Sequence, residues 1–302
     1  MNDRQWLRSC SLVVADASGS GIELGELRVT FKVSKGDVET PNSAEIRVYN
    51  LAPETVAQIE GEFTRVVLQA GYQSNCTSIF DGSIRGIRTG REGGTDTWLE
   101  IIAADSDRAY TYATVNTTLS AGSKPEDRVS ACQAAFTAKG AGQGEIQDLG
   151  GNGLPRGKVM YGSARKFMRD EAVNTDCTWS FQDGNMQMVK NAGYLSGEAV
   201  VLTHETGLVG TPEQTNEGIK VRCLLNPRLR ISGRIKLDNA SIQEAKTELK
   251  ASAMRSPAQD ADGFYRILKV DYSGDTRGND WYADLVCVAL DASSNQPLDM
   301  VK

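Results

Sequence analysis

The sequence predicts a mainly β chain with an α+β insertion: two similar antiparallel β-barrel domains flanking a small α+β domain. Three observations predict it. Apolar and polar residues alternate with a period of two near both ends, the middle changes to helical spacing, and a repeat relates the two ends. The expected divisions are 1–104, 105–195 and 196–302.

In the first division Leu27, Val29, Phe31 and Val33 alternate with Glu26, Arg28, Thr30 and Lys32, which sets one face in a core and the other in water. Ala44, Ile46 and Val48 alternate likewise with Glu45, Arg47 and Tyr49. A short helix is expected from Pro53, because a proline at the first helical position lacks only an amide that would have no partner there. Val66–Leu68, Ile79–Ile87 and Trp98–Ala103 read as further strands.

The texture changes after Asp105. Ser123 and Glu126 have the spacing of a capping box, opening a helix that buries Val129, Cys132 and Phe136 and stops at Gly140. Seven glycines between 140 and 157 read as a loop. A second helix from Ser163 is expected to bury Ala164, Phe167, Met168 and Ala172. Thr178–Val189 reads as a hairpin turning at Asp183-Gly184-Asn185.

The last division returns to alternation, with Leu229, Ile231, Ile235 and Leu237 set against Arg230, Ser232, Arg234 and Lys236. Ser241–Ala253 reads as a helix or an excursion between strands, and Phe264–Leu290 as a hairpin. Displaced by 184 residues, Phe80 falls on Phe264, Ile84 on Leu268, Arg85 on Lys269, Thr89 on Ser273 and Gly90 on Gly274. Trp98 then falls on Tyr282, Glu100 on Asp284, Ile101 on Leu285 and Ile102 on Val286. Turn chemistry alone can make two hairpins look alike. A duplicated domain predicts more, namely equivalent backbone paths in one architecture.

A net charge of −6 argues against general affinity for nucleic acid or anionic membrane. No stretch approaches the ~20 apolar residues that cross a bilayer. The N-terminus lacks the apolar core of a signal peptide, so synthesis in a cytoplasm is expected. Cys10, Cys76, Cys132, Cys177, Cys223 and Cys287 form no Cys-x-x-Cys pair and lie in apolar runs. They are expected to be reduced, buried thiols rather than a zinc or redox site.

Little in the chain supports chemistry. His204 is the one histidine, and on a strand its neighbour Glu205 would point to the other face. Ser163 sits in no Gly-x-Ser-x-Gly elbow. Gly157-Lys158 resembles the end of a phosphate loop, but Asn152 and Val159 break the motif. Asp105 with Asp107, or Glu205 with Glu213, could serve as paired glycosidase carboxylates, yet with 39 acids some such pairs are unavoidable. No enzyme, catalytic residue, cofactor or metal is expected.

One charged run stands out. Lys220, Arg222, Arg228, Arg230, Arg234 and Lys236 occur without an intervening acid, and Arg228, Arg230, Arg234 and Lys236 share one strand face by even spacing. The ordinary reading is a solvated face. The functional reading is a subunit-contact stripe facing an acidic neighbour.

Several segments together resemble the baseplate hub proteins of long-tailed bacteriophages: Thr40–Leu51, Cys177–Gly184, Gly207–Pro212, Gly218–Pro227, Gly263–Ile267 and Ser273–Trp281. The resemblance spans most of the chain in order. It implies a homotrimer whose paired barrels form a pseudo-sixfold ring, adapting a sixfold tail tube to a threefold spike. Type VI secretion spike hubs share this plan. Implied partners are the tube or tube-initiator protein, the central spike, a wedge or tape-measure protein, and DNA only as cargo through the channel, with no membrane insertion. The implied location is the virion baseplate, after assembly in the host cytoplasm. An alternative is a carbohydrate-binding or cell-wall-degrading tail appendage. An exposed aromatic platform would favour it, whereas Trp6, Trp98, Trp179 and Trp281 read as half-buried strand residues.

Overall fold

The alternating segments become the strands of a continuous sheet. The computed structural model describes residues 5–16, 18–215, 218–238, 243–244 and 263–290, with the backbone alone for 243–244. The first division supplies β1 (Arg8–Ala15), β2 (Gly21–Glu23), β3 (Val29–Gly36), β4 (Ser43–Tyr49), α1 (Pro53–Glu62), β5 (Arg65–Tyr72), β6 (Asn75–Glu92) and β7 (Asp96–Ala104). The middle supplies α2 (Asp107–Tyr112), β8 (Thr114–Leu119), α3 (Pro125–Thr137), β9 (Gly142–Ile146), β10 (Lys158–Ser163), α4 (Ala164–Asn174), β11 (Cys177–Gln182) and β12 (Asn185–Lys190). The last supplies β13 (Val200–Val201), a 3₁₀ turn (His204–Thr206), β14 (Leu208–Thr215), β15 (Gly218–Leu224), β16 (Arg234–Lys236), β17 (Gln243–Glu244), β18 (Phe264–Asp275) and β19 (Trp281–Ala289).

Fourteen strands form the main sheet, in the order β17-β14-β15-β19-β18-β3-β4-β7-β6-β5-β1-β2, with β16 on β18 and β13 on β16. Among the described residues the sheet does not close on itself, and the two ends of its order are strands of three and two residues, β2 and β17. The first and last divisions meet where β3 runs antiparallel to β18, from Gly36 opposite Lys269 to Thr30 opposite Asp275. Val29, Phe31, Val33, Ile46, Leu99 and Ile101 share a hydrophobic core with Val221, Ile235, Tyr265, Val270 and Leu285. Ser241–Ala253 lies outside the described residues except for β17.

The repeat is structural. In the first lobe β3 pairs β4, β4 pairs β7, β7 pairs β6 and β6 pairs β5. In the second, β14 pairs β15, β15 pairs β19, β19 pairs β18 and β18 pairs β16. All eight pairings are antiparallel. Each long hairpin carries a bulge at the same place, at Arg85 between Ile84 and Gly86 and at Leu268 between Ile267 and Lys269.

These pairings also correct the alignment by one residue in the outgoing strand. Glu100 and Asp284 are equivalent, as expected, but they face Arg88 and Asp271, so β6 maps on β18 by 183 rather than 184. The ungapped match missed this because the second hairpin has the longer turn.

The middle division has its own core, in which Val129, Cys132 and Phe136 of α3 and Ala164, Met168 and Ala172 of α4 pack on Trp179, Phe181, Met186 and Met188. Phe167 is only partly buried. Asp183 and Gly184 take positive φ (53° and 82°), as the tight hairpin turn requires. Two expectations fail here. Helix α3 is capped one residue later: Lys124 N–H donates to the Asp127 carboxylate at 2.8 Å, while Ser123 Oγ makes no such bond. The glycine-rich stretch is not all loop. Gly142 and Gly144 lie in β9, parallel to β12, where a Cβ would meet the Asn185 side chain and the Met186 carbonyl.

Candidate interaction surfaces

The expected stripe is not a strand face. Only Arg234 and Lys236 belong to β16; Arg228 and Arg230 lie on an irregular strap between β15 and β16. Burial still alternates along the strap, with Leu229 and Ile231 inside and Arg228 and Arg230 exposed. The period-two pattern thus reported burial correctly and hydrogen bonding incorrectly. Arg228, Arg230 and Arg234 line a cleft of about 1190 Å³ with Glu198, His204 and Glu205. Asn75 and Thr77 of the first lobe and Trp6 also line it. Arg234 donates to the Gly197 carbonyl at 2.8 Å and stacks over Tyr194 at 4.1 Å, and Lys236 lies 5.2 Å from the Phe264 ring, outside the cleft.

His204 and Glu205 are exposed on a 3₁₀ turn capped by Thr203, not on a strand. Asp107 meets Arg85 at 3.6 Å. Lys158 binds a buried carboxylate instead of a phosphate: Glu171, fully buried, takes Lys158 and Arg128 at 2.7 Å each. Among the described residues no group of three or more His, Cys, Asp or Glu could hold a metal ion. No described helix is long and apolar enough to cross a membrane. All six cysteines are free; Cys10 and Cys76 are half-buried rather than buried. Burial pushes the Cys132 and Cys223 thiols up to about 12. The tryptophans differ from expectation: Trp179 and Trp281 are fully buried, Trp98 is half-buried, and Trp6 is 69% exposed.

Sequence reasoning missed the polar junction where the lobes meet the middle division. Arg266, only 2% exposed, is ion-paired with buried Asp37. It also donates to Thr178 and Ser232 at 3.1 Å and to the carbonyls of Lys190, Asn191 and Gly193 at 2.7–3.0 Å. Beside it, Asn42 accepts from Gly36 N–H and donates to the Phe181 carbonyl at 2.7 Å. Asp105 accepts from Gly184 N–H, and burial raises its carboxyl to about 6. Two of the segments singled out by resemblance, Thr40–Leu51 and Cys177–Gly184, thus touch through Asn42. A buried arginine in a strand has no sequence signature other than breaking the apolar pattern, which Arg266 does between Tyr265 and Ile267.

Solved structures with a similar fold include phage-tail proteins and a type VI secretion component. A tail protein from prophage MuSo2 of Shewanella oneidensis superposes with a TM-score of 0.59 at 8% identity, covering 94% of this chain and 98% of that one. A tail protein from Neisseria meningitidis gives 0.58 at 8%, covering 93% and 96%. An Escherichia coli component of the type VI secretion system, which exhibits structural similarity to T4 bacteriophage tail proteins gp27 and gp5, gives 0.56 at 13%, covering 87% and 73%. No curated protein matches the sequence. The family model Baseplate hub gp41 matches residues 44–243, and the chain belongs to that family.

Proposed function

We propose that three copies of this chain close into a pseudo-sixfold ring at the tip of a phage tail, adapting a sixfold tube to a threefold spike. The observation that carries this reading is the repeated pairing scheme. Two lobes of one backbone plan per chain give six similar units from three chains, whereas side chains and links that differ between the lobes keep the symmetry at three. Each lobe is read as a half-open antiparallel barrel, bridged on its core side by α1 in the first and by the strap in the second. The ring acts through its interfaces and performs no catalysis. Its partners are the tube or its initiator, the central spike and a wedge or tape-measure protein; DNA passes through, and the ring resides in the virion after assembly in the host cytoplasm. The Arg228–Arg230 strap faces protein rather than the channel, since a cationic lining would retain phosphates in a salt-dependent way.

The test is the mass of the purified chain in solution, alone and with its spike and tube proteins. A trimer, with tube and spike bound to it, is expected. A chain that stays monomeric in every mixture, or that clears cell walls and loses this on replacing one carboxylate, would overturn the reading.

A further inference from the structure

The ribbon of β8 and β10 stands apart from the main sheet. The two strands pair antiparallel over six residues without a bulge, from Thr114 opposite Ser163 to Leu119 opposite Lys158. Among the described residues neither strand has a neighbour on its other side. Edges left open in this way are ordinarily guarded by charged side chains, prolines or bulges. Here the only charged residue in either strand is Lys158, and it is tied to the buried Glu171 at 2.7 Å.

The two faces of the ribbon differ. On the inner face Val115 and Met160 belong to the core of the middle division, and Leu119 packs against it. On the outer face Thr114, Asn116 and Thr118 of β8 are exposed, opposite Ser163, Tyr161 and Val159 of β10. Tyr161 is 79% exposed and Val159 70%. No residue of this outer face carries a charge. An unguarded edge beside an apolar face is what strand addition uses: the edge supplies main-chain hydrogen bonds, and alternate side chains supply specificity.

We propose that β10 accepts a third strand from another protein of the tail tip. That strand is an extended segment, uncharged on the side that covers the ribbon, with aromatic or β-branched residues at alternate positions beside Val159 and Tyr161. A charged segment would lose hydration against these two side chains and meet no opposite charge. The receiving edge is β10 rather than β8 because its exposed side chains are the apolar ones.

The choice of occupant rests on the ring reading. Head-to-tail addition of a second copy, β10 to β8, would gather three ribbons on the threefold axis as six antiparallel strands. About eight strands already make a barrel that side chains fill, so six would block the channel. Edge-to-edge addition, β10 to β10, joins copies in twos rather than threes.

The test is amide hydrogen exchange of the full chain, alone and with its tube, spike, wedge and tape-measure proteins added one at a time. The outward amides of β10 are expected to exchange fast in the trimer alone, and at least about tenfold more slowly with one of these proteins bound. Tyr161→Lys and Val159→Lys are each expected to weaken that complex about tenfold, and Thr114→Lys, on the far strand, under about twofold. Thermal unfolding of the chain alone should be the same in all three variants, since the side chains replaced are exposed. Slowing that appears on trimerisation alone gives the edge to a second copy and overturns the proposal. Exchange that no partner slows, or binding that ignores both β10 lysines, overturns it too and leaves the ring reading standing. A chain that stays monomeric and binds none of these proteins overturns both.

Discussion

In the first lobe the chain crosses the core side of the sheet as helix α1, which inserts Ile59 and exposes Glu54, Glu60 and Glu62. In the second lobe the same crossing, from the end of β15 to the start of β16, is the strap, which inserts Leu225, Leu229 and Ile231 and exposes Arg228 and Arg230. Around them the strands pair alike, down to the position of the bulge. Pairing must be kept as a set, because shifting one strand by a residue turns its whole apolar face outward. A covering segment has only to supply apolar side chains at the right depth. Its backbone and its charge are therefore where two copies of one lobe can diverge without unfolding.

The sharpest way to break the comparison is at Arg266. Its first-lobe equivalent by strand pairing is Ser83, opposite Ala104 as Arg266 is opposite Val288. Arg266→Ser makes the second lobe like the first and leaves Asp37 buried without its cation. A loss of about 3–5 kcal/mol is expected, read from the urea unfolding midpoint, whereas Ser83→Ala is expected to cost under about 1 kcal/mol. A loss at Arg266 of similar size to that at Ser83 would mean that the junction does not hold the lobes to the middle division.

Much of this was legible in the sequence. Val29, Phe31 and Val33 on one face and Ala44, Ile46 and Val48 on the next declared a half-buried sheet, and α4 followed from its helical spacing. Trp98 with Tyr282 and Glu100 with Asp284 declared the repeat. Other features were illegible for physical reasons. The one-residue slip in β6 is invisible without the turn, because a longer loop offsets it. That β3 and β18 join the lobes in one sheet depends on a pairing more than 230 residues apart in sequence, which periodicity cannot report. The strap misled because extended chain buries alternate residues whether or not it has a partner strand. Of Arg228, Arg230, Arg234 and Lys236, only the last two therefore lie on a strand.

Asp105 gives a second contrast. It follows β7 directly and stands where the second lobe has buried Ala289. Its carboxyl is raised from 3.8 to about 6 by burial, against hydrogen bonds from Ser106 and Gly184 and the nearby charge of Lys35, with Asp183 adding to the rise. An acid raised in the fold favours the protonated form, so no penalty exists below pH 4. Stability is then lost as pH climbs from about 4 through 6 and is level above about 7, a fall of about 2–3 kcal/mol. Asp105→Asn is expected to flatten that segment of a Tm-against-pH curve. An unchanged slope would assign it to other groups.

Two glycines sharpen the packing comparison. A Cβ on Gly274 would stand 2.3 Å from the Phe31 ring, and one on Gly90 2.3 Å from the Trp98 ring. In each case the aromatic residue is directly opposite on the neighbouring strand. Phe31 is buried and set edge-on to Trp281 at 5.5 Å, so it has nowhere to go; Trp98 is half-buried and can swing. Gly274→Ala is expected to cost about 2 kcal/mol and Gly90→Ala about 1 kcal/mol. Equal costs would mean that the two rings have equal freedom.

The smallest expected effect tests the most similar feature. Each lobe carries an arginine, on β4 in the first and β15 in the second, that meets an acid and an aromatic ring on the next strand. Arg47 reaches Glu100 at 2.9 Å and stacks over Trp98 at 4.4 Å. Arg222 reaches Asp284 with two bonds, at 2.7 and 2.9 Å, and lies 5.6 Å from Tyr282. Two-pronged geometry favours the second lobe, while stacking and burial favour the first: the arginine side chains are 34% and 56% exposed. Exposed ion pairs contribute little because water and salt screen them, whereas a close cation–ring contact persists. Arg47→Ala is therefore expected to cost about 1 kcal/mol and Arg222→Ala about 0.5 kcal/mol or less. Raising the salt to about 1 M, where charges are screened beyond ~3 Å, should shrink the second cost more than the first. A larger loss at Arg222, or one that salt leaves intact, would mean that paired hydrogen bonds outweigh burial on this sheet.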